Sequence, residues 1–498
     1  MSGFHSPSSH KACYNLKNLC KYLQRPVTCR YSSTLRHGRQ EIPQPRLNYR
    51  DIAENSVSKS LNALNRKAPL PTDGVESVVR LYKEFKTVKQ KLDAKRNERS
   101  MVGETIERSA KAKDAETKAA ALRTAKELKE EISELELATS QIENEMLGLA
   151  LAIPNDTHAS SPLGPESAAE VLDIRGPTPL PANPNRDHAD IARKLNLIDF
   201  ESGAKVTGSS WYYLLNEAAI LEMALTNYAL SVAMRHGYTP VTTPDVVRSD
   251  IARRCGFQPR DHSDPPVAQA YHLQSTSPNS SELILAGTAE IPLAGMFANR
   301  VHKSPSLPLK VVGIGHAFRA EAGASGTDTR GIYRVHQFSK VELFAVTKSE
   351  ESEETMEAMR LVQQEILDGL RIPYRVLDMP TEELGASAYR KYDMEAWMPG
   401  RGGWGEVMSL SNCTDYQARR LHIRYTTPKE PSVSVPNPTL FAHTLNGTAA
   451  AIPRLIVALL ENGIELDEAG EPIGLILPST LRPFWLQTNS RDLVKWDS

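Results

Sequence analysis

The most regular hydrophobic pattern in the chain lies within residues 75–152. Apolar residues recur at alternating steps of three and four positions over 78–92 and again over 128–149. This spacing places an apolar stripe along each of two helices. Residues 100–124 between them are polar and rich in alanine, with Gly103 as the expected break. The pattern predicts an antiparallel coiled-coil hairpin with helices of about 37 residues, which would project roughly 55 Å.

The remainder of the chain lacks this regularity and divides by composition. Prolines are frequent in residues 153–185, which are predicted to form a linker. Residues 186–485 contain helix-like patterns at 211–236 and 350–371 and strand-like runs at 309–319, 332–346 and 404–412. Because long, irregular insertions separate the strands, a mixed, mostly antiparallel sheet flanked by helices is favoured over a doubly wound sheet. The predicted fold class is α+β, and residues 486–498 remain a tail without an assigned function.

Composition narrows the class of protein. The 498 residues carry a formal net charge of −1, and 40% of them are hydrophobic. This apolar content supports a packed core and excludes wholesale disorder, while the length predicts about two to four modules. No stretch approaches the ~18 apolar residues of a membrane-spanning helix, so no membrane insertion is expected. Only Cys255 and Cys413 lie outside the N-terminal segment, too few for a disulfide scaffold or a zinc site.

The N-terminal segment has the composition of a targeting signal. Residues 1–50 contain nine Lys or Arg and a single acid, Glu41, with serine and leucine interspersed. A segment that is rich in arginine and serine and poor in acids is typical of a mitochondrial presequence. We expect a presequence over residues 1–32 and localisation in the mitochondrial matrix. The alternative is an ordinary basic tail.

Charge is unevenly distributed along the predicted hairpin. Residues 77–113 carry eleven Lys or Arg against five acids, whereas residues 114–150 carry four against nine. One helix and the tip are therefore cationic, and a basic projecting rod can follow a phosphate backbone by charge and shape. The alternative is a solvated coiled coil that contacts other proteins.

The densest chemistry lies in residues 318–343, which read as a strand, a polar loop and a second strand. The period of two of a strand places five side chains on one face of the second strand: Arg334, His336, Phe338, Lys340 and Glu342. Such a face is either solvated or lines a site for a polyanion. Arginine binds phosphate through its planar fork, and a phenylalanine ring can stack on a flat base. The face therefore either binds a ligand with phosphate and aromatic parts or is exposed to solvent.

Several segments, in this order along the chain, resemble the seryl-tRNA synthetase family of class II aminoacyl-tRNA synthetases, of the mitochondrial kind. The three class motifs are matched by Gly237–Pro244, Phe318–Leu343 and His443–Arg454, and further family features by Thr288-Ala289-Glu290, Glu406 and Asn412–Arg420. The resemblance covers about residues 45–485. It implies a tRNA-binding domain at 45–152 with its coiled-coil arm at about 75–152, a catalytic domain at 186–485, and a homodimer formed through the first motif.

The resemblance implies ATP-dependent attachment of L-serine to serine tRNA through a seryl-adenylate, with release of pyrophosphate and AMP. The serine tRNA would be gripped by the basic arm. The implied ATP-binding residues are Arg319, Ala320, Glu321, Val335, Phe338, Glu406, Val407, Met408, Ser409 and Arg454. Arg319 is expected on the α-phosphate, and Arg454 at the γ-phosphate end or beside the adenine. Glu321 and Val335 are expected on the adenine edge, and Phe338 on the ring.

The same resemblance implies a Mg²⁺ ion held by Glu406 and Ser409, since oxygen ligands and phosphate suit this ion. In a flat strand, positions 406 and 409 point to opposite faces. Both side chains can therefore reach one metal only at a bulge or a strand end.

The implied serine pocket consists of Thr288, Ala289, Glu290, Glu342, Asn446 and Thr448. Glu290 is expected to meet the ammonium group and Glu342 the hydroxyl. The implied catalytic residues are Arg319, Arg454 and Glu342. For His336, a role in positioning its neighbours is favoured over that of a general base.

The chain departs from the family pattern at a few positions. Thr448 stands where serine is common, and Pro453 stands where glycine is more usual, although proline is tolerated in a first helical turn. Two other functions remain open: an inactive homologue that binds RNA or protein, and an ATP-dependent ligase that transfers another small acid to a carrier protein. The retained charged residues argue against the first, and the intact basic arm argues against the second.

Overall fold

The computed structural model describes residues 42–257, 269–274, 281–321, 330–427, 438–486 and 492–497. The predicted presequence and most of the polar loop between the two strands of the second motif lie outside the described residues. Residues Ile42–Ser498 form one compact unit.

Twelve α-helices occur within the described ranges. They are α1 (Tyr49–Glu54), α2 (Ser56–Asn65), α3 (Gly74–Ala112), α4 (Ala115–Ala152), α5 (His188–Lys194), α6 (Phe200–Val206), α7 (Asn216–Arg235), α8 (Ser249–Arg254), α9 (Glu290–Met296), α10 (Ser352–Gly369), α11 (Tyr416–Leu421) and α12 (Ile452–Gly463). None of these helices combines the length and the apolar content needed to cross a bilayer.

The strands of the same part of the chain are mostly short, apart from those of the central sheet. They are β1 (Glu170–Arg175), β2 (Ile198–Asp199), β3 (Tyr213–Leu214), β4 (Thr239–Thr242), β5 (Val246–Arg248), β6 (His272–Leu273), β7 (Leu283–Leu285), β8 (Val301–Lys303), β9 (Leu309–Phe318), β10 (Gln337–Thr347), β11 (Tyr374–Asp378), β12 (Arg390–Met398), β13 (Gly403–Asn412), β14 (Arg424–Thr426), β15 (Thr439–Phe441), β16 (His443–Ala451), β17 (Ile464–Leu466), β18 (Pro472–Leu477) and β19 (Val494–Trp496).

The predicted hairpin is present as α3 and α4, of 39 and 38 residues. The apolar stripes face each other, and Val78, Leu92 and Leu128 are almost fully buried. The turn falls at Lys113, whose left-handed backbone ends α3, and at Asp114, whose carboxylate caps α4. Helix α3 runs through the expected break at Gly103. One glycine costs a helix only about 1 kcal/mol, which the packing of the paired helices offsets.

The central sheet has eight strands, in the order β1-β11-β12-β13-β16-β10-β9-β4. Each neighbouring pair is antiparallel except β4 and β9, which are parallel. The predicted α+β class with a mixed, mostly antiparallel sheet is therefore confirmed.

The two faces of this sheet differ in chemistry. One face is apolar and packs against α7, α10 and α12, with Leu343, Met394 and Leu445 fully buried there. The cross-strand register places polar residues side by side on the opposite face: Lys340, Glu342, Asn446, Thr448, Ser409, Ser411, Lys391 and Asp393. Polar groups on a sheet face need water or a ligand as hydrogen-bond partners. We therefore expect a ligand-binding site on this face.

Two segments differ from their predictions. Residues 170–175, inside the predicted linker, form edge strand β1 of the central sheet. The prediction missed this strand because its six residues contain no proline but are surrounded by prolines. In the predicted tail, residues 494–496 form β19, which pairs in parallel with β18. Trp496 packs edge-on against Trp485 at 5.4 Å between ring centroids.

Candidate active site

A cavity of about 470 Å³ lies over the polar face of the central sheet. Its lining combines residues of the predicted ATP and serine sites with a wall from the N-terminal domain: Arg319, Glu321, Lys340, Ser409, Thr288, Glu290, Asn446, Arg66, Lys67 and Pro69. The two predicted sites therefore share one continuous cleft.

The triplet of the predicted serine site lies where α9 begins. Thr288 and Ala289 are buried, and Glu290 opens the helix. The side-chain amide of Gln417 donates to Glu290 Oε1 at 2.5 Å. Burial raises the pKa of Glu290 to about 7, the charge of Glu342 adds to this shift, and the bond from Gln417 opposes it. Glu290 is thus an acceptor whose charge changes near neutral pH.

Glu342 is buried beside a cation. Lys340 Nζ lies 2.6 Å from Glu342 Oε2 and 3.4 Å from Thr288 Oγ1. Thr448 stands opposite Glu342 on β16, and Asn446 lies on the same face one pair further along. Breaking a buried ion pair is costly, because the remaining charge is left without a partner. Of the residues predicted to bind serine, Thr288, Glu290 and Asn446 line the cleft. Ala289, Glu342 and Thr448 are buried beside them.

The other end of the cleft contains arginine and aromatic side chains. The guanidinium of Arg319 lies 5.3 Å from the centre of the Phe338 ring, and its Nε donates to the carbonyl of Gly287 at 3.3 Å. A small cavity here is lined by Arg319, Glu321, Tyr333, Arg334, Val335, Phe338, Ala451, Pro453 and Arg454. The predicted adenine-binding residues thus lie together.

Arg454 is placed by the first turn of α12. Its Nη1 lies 3.1 Å from Glu406 Oε2 and donates to the Glu406 carbonyl at 2.9 Å. Pro453 occupies the same first turn, where the missing N–H costs no helical bond. The unusual proline is therefore accommodated without displacing Arg454 from the cleft.

A β-bulge in β13 resolves the geometry of the predicted metal ligands. Met408 pairs with Met394 and Glu406 with Glu395, so Val407 is the extra residue between them. A bulge shifts the alternation of side chains by one, which places Glu406 and Ser409 on the same face. Burial raises the pKa of Glu406, but the surrounding cations, led by Arg454, outweigh it and hold that pKa well below its usual range.

The bulge has a second consequence. The side chains of Val407 and Met408, predicted to contribute to ATP binding, are 1% exposed and belong to the hydrophobic core. Leu410 is also buried there. These positions offer only backbone atoms to a ligand, because the extra residue turns both side chains away from the cleft.

The predicted polar face of the second-motif strand is shorter than expected. Strand β10 begins at Gln337, so Phe338, Lys340 and Glu342 share its face, while Arg334 and His336 precede it. His336 Nδ1 lies 3.0 Å from the carbonyl oxygen of Arg319. This contact ties the two strands together beside Arg319 and agrees with a positioning role.

Two residues absent from the sequence prediction, Tyr333 and Arg401, lie close to Arg454. Two guanidinium groups lie close to the centre of the Tyr333 ring, that of Arg401 at 4.2 Å and that of Arg454 at 4.7 Å. Arg401 comes from the turn between β12 and β13. No local pattern marks Arg401, because its contact with Tyr333 depends on the folded position of that turn.

Two protein-family models match this chain. Residues 271–463 match the model described as the tRNA synthetase class II core domain (G, H, P, S and T), so the sheet and its cleft define a class II aminoacyl-tRNA synthetase. Residues 53–157 match the seryl-tRNA synthetase N-terminal domain.

Relatives extend this match over most of the chain. The chain is 40% identical over 438 residues to the serine–tRNA ligase of Rhodopirellula baltica, covering 87% of this chain and 95% of the relative. It is 40% identical over 458 residues to the mitochondrial serine–tRNA ligase of Schizosaccharomyces pombe, covering 91% and 90%. The chain therefore belongs to the seryl-tRNA synthetase family.

A solved structure agrees with this membership. The crystal structure of seryl-tRNA synthetase from Pyrococcus horikoshii complexed with ATP superposes with a TM-score of 0.74 at 34% identity. The match covers 88% of this chain and 98% of that chain.

Proposed function

We propose that this chain attaches L-serine to serine tRNA in two steps within the cleft described above. The serine carboxylate attacks the α-phosphorus of ATP, the bond to the β-phosphate breaks, and pyrophosphate leaves. The terminal ribose hydroxyl of the tRNA then attacks the carbonyl carbon of the seryl-adenylate, and AMP leaves. One observation carries the proposal: Arg319 and Glu290 line the same cavity, so a phosphate and an amino acid can meet there.

In the first step, the arginines bind the nucleotide. Arg319 holds the α-phosphate, where negative charge develops as the bond to the β-phosphate breaks. Arg454 binds the γ-phosphate end or the face of the adenine. Phe338 stacks on the adenine ring, while Glu321 and the backbone of Val335 contact its edge.

Glu406 and Ser409 would hold Mg²⁺. Both lie on the cleft face of β13, and the low pKa of Glu406 keeps its carboxylate charged. Magnesium in nucleotide sites commonly takes one or two protein oxygens, with substrate phosphates and water supplying the rest, so this pair fits the ion. The ion held there would supply positive charge to neutralise the phosphates of ATP.

Serine recognition uses the opposite corner. Glu290 binds the ammonium group, and Glu342, held by Lys340, accepts the serine hydroxyl. Asn446 and Thr448 close the pocket. A buried acceptor left without a partner disfavours alanine, whereas a close wall excludes the methyl group of threonine.

The arm and a second copy of the chain complete the enzyme. The cationic helix α3 binds the tRNA backbone through its charge. A homodimer forms through the Gly237–Pro244 segment, whose strand β4 lies at the edge of the central sheet, and through α7, where Met223 and Met234 are each 51% exposed. We place the enzyme in the mitochondrial matrix, on the composition of residues 1–32 and the likeness to a mitochondrial relative.

An inactive homologue is disfavoured by the cleft. Arg319, Lys340 and Ser409 come from three different strands or their ends, yet all line the cleft, an arrangement that folding alone does not require. The test is charging of serine tRNA with labelled serine and ATP. Formation of seryl-tRNA and AMP supports the proposal, and binding of this tRNA without charging would support the inactive homologue.

The pKa of Glu290 predicts a pH dependence. Only the charged carboxylate attracts the serine ammonium, and with a pKa of about 7 it becomes protonated as the pH falls. The KM for serine should therefore rise roughly eightfold between pH 7.5 and pH 6, while the KM for ATP should not follow the same curve. Glu290→Gln should bind serine weakly without this pH dependence. A KM for serine that stays constant across this range would contradict the assignment.

A further inference from the structure

Asn155 lies where the tRNA-binding domain meets the catalytic domain, three residues after the end of α4. Its side-chain amide donates to the backbone carbonyls of Ser387 and Cys413, both at 2.9 Å. The Thr414 hydroxyl lies 3.0 Å from the same nitrogen and donates to Asn155 Oδ1 at 3.3 Å. Its backbone N–H donates to the carbonyl of Ala386 at 2.8 Å. One residue thus fastens two separate loops of the catalytic domain.

The N-terminal domain holds Asn155 from the other side. Asn62 Nδ2 and Arg66 Nη1 both donate to the Asn155 carbonyl, at 2.9 and 2.7 Å. Arg66 also donates to the carbonyl of Gly385, which lines the cleft. Asn155 is therefore clamped between the root of the arm and the rim of the active site.

A continuous chain of hydrogen bonds leads from this clamp to the serine pocket. Thr414, bonded to Asn155, accepts at its carbonyl from the backbone N–H of Thr444 at 2.9 Å. The Thr444 hydroxyl donates to Gln417 Oε1 at 2.8 Å, and Gln417 Nε2 donates to Glu290 Oε1. The Gln417 oxygen accepts the bond from the Thr444 hydroxyl, so the Gln417 nitrogen faces Glu290 as a donor.

The first link in this chain has an unusual backbone. Thr414 has a φ of +44°, in the left-handed region that β-branched residues avoid. Such a conformation persists only where the surroundings hold it. Asn155 supplies part of that support by bonding the Thr414 hydroxyl and the carbonyl of the preceding residue.

We propose that Asn155 is a positioning residue for serine recognition. By holding Thr414 in its left-handed conformation, it fixes Gln417 and thereby the carboxylate of Glu290. The inference rests on the proposed function, in which Glu290 binds the serine ammonium. It assigns the tRNA-binding domain a second role, in which its root organises the amino acid pocket of its own chain before any tRNA binds.

The test is steady-state ATP–pyrophosphate exchange with the full-length Asn155→Ala variant. The KM for serine should rise about tenfold, while the KM for ATP and kcat should stay within about twofold, because the path reaches Glu290 without passing through the ATP-binding side chains. Asp156→Asn is the matched control, since the Asp156 side chain pairs with Lys59 at 2.7 Å, within the N-terminal domain. This control should behave as the unaltered protein.

A second substitution distinguishes positioning from general loosening. Glycine adopts positive φ without strain, so Thr414→Gly in the Asn155→Ala background should return the KM for serine to within about threefold of the original. Asn155→Ser retains one hydrogen-bond donor and should raise the KM for serine by a smaller factor. This variant replaces the alanine variant in the test if the latter does not fold.

Three results would overturn the inference: an equal rise in both KM values, an unchanged KM for serine in a folded Asn155→Ala variant, or no rescue by glycine. Failure of the proposed function itself is distinguishable, because the unaltered protein would then show no serine-dependent exchange.

Discussion

Arg319→Ala should reduce serine-dependent ATP–pyrophosphate exchange by at least about a thousandfold and leave the affinity for serine tRNA nearly unchanged. This expected loss in rate follows from removing a fixed cation at the phosphate on which negative charge develops. Removing one hydrogen-bond donor at such a position costs about 10²–10³ in rate. Burial lowers the pKa of Arg319, but arginine remains charged at neutral pH. The expected loss of exchange in Arg319→Ala therefore comes from removing a positive charge beside the reacting phosphate.

The control is a second arginine of the same motif. Arg330 is 59% exposed and pairs with Asp190 at 2.8 Å, so Arg330→Ala should retain full exchange. Exchange and tRNA affinity should be measured on the same preparations, with thermal unfolding as a check of folding. Simultaneous loss of exchange and tRNA binding in a folded Arg319→Ala protein would contradict the division between cleft and arm.

Removal of the outer arm should have the opposite outcome. Replacing residues 88–139 by a short glycine–serine linker should leave ATP–pyrophosphate exchange within about twofold and weaken binding of serine tRNA by at least about a hundredfold. The deletion spares the root cluster, in which Val78, Leu81 and Met146 are buried. It removes most of the cationic surface of α3, which supplies the electrostatic part of RNA binding.

A variant with the arm intact separates charge from shape. Substituting Lys86, Lys89 and Lys91 by glutamine keeps a helix-forming residue at each position and should weaken tRNA binding while lowering its dependence on salt. Binding can be measured by filter retention at several salt concentrations. An unchanged tRNA affinity after deletion of the arm would refute its assigned role.

The sequence predicts the elements whose signal is local or periodic. The 3–4 spacing of apolar residues is enough to define α3 and α4, because each helix buries one continuous stripe. The identities of Arg319, Glu290 and Arg454 follow from motif resemblance, and the fold brings all three to one cleft.

Other features depend on register and on distant contacts. The bulge at Val407 decides which face Ser409 occupies, and it can be seen only in the pairing of β12 with β13. The contacts of Tyr333 with Arg401 and Arg454 join three separate segments. Asn155 resembles any asparagine after a helix, and the carbonyls that its side chain bonds lie more than two hundred residues away in the chain.

The most direct test is ATP–pyrophosphate exchange without tRNA, on protein lacking residues 1–32, with serine, alanine and threonine compared in parallel. Exchange should depend on serine, and kcat/KM for alanine and threonine should be lower by at least about a hundredfold. Equal exchange with alanine would contradict the role of Glu342 as the hydroxyl acceptor. No exchange with serine, from a folded protein that still binds serine tRNA, would contradict the proposed enzyme.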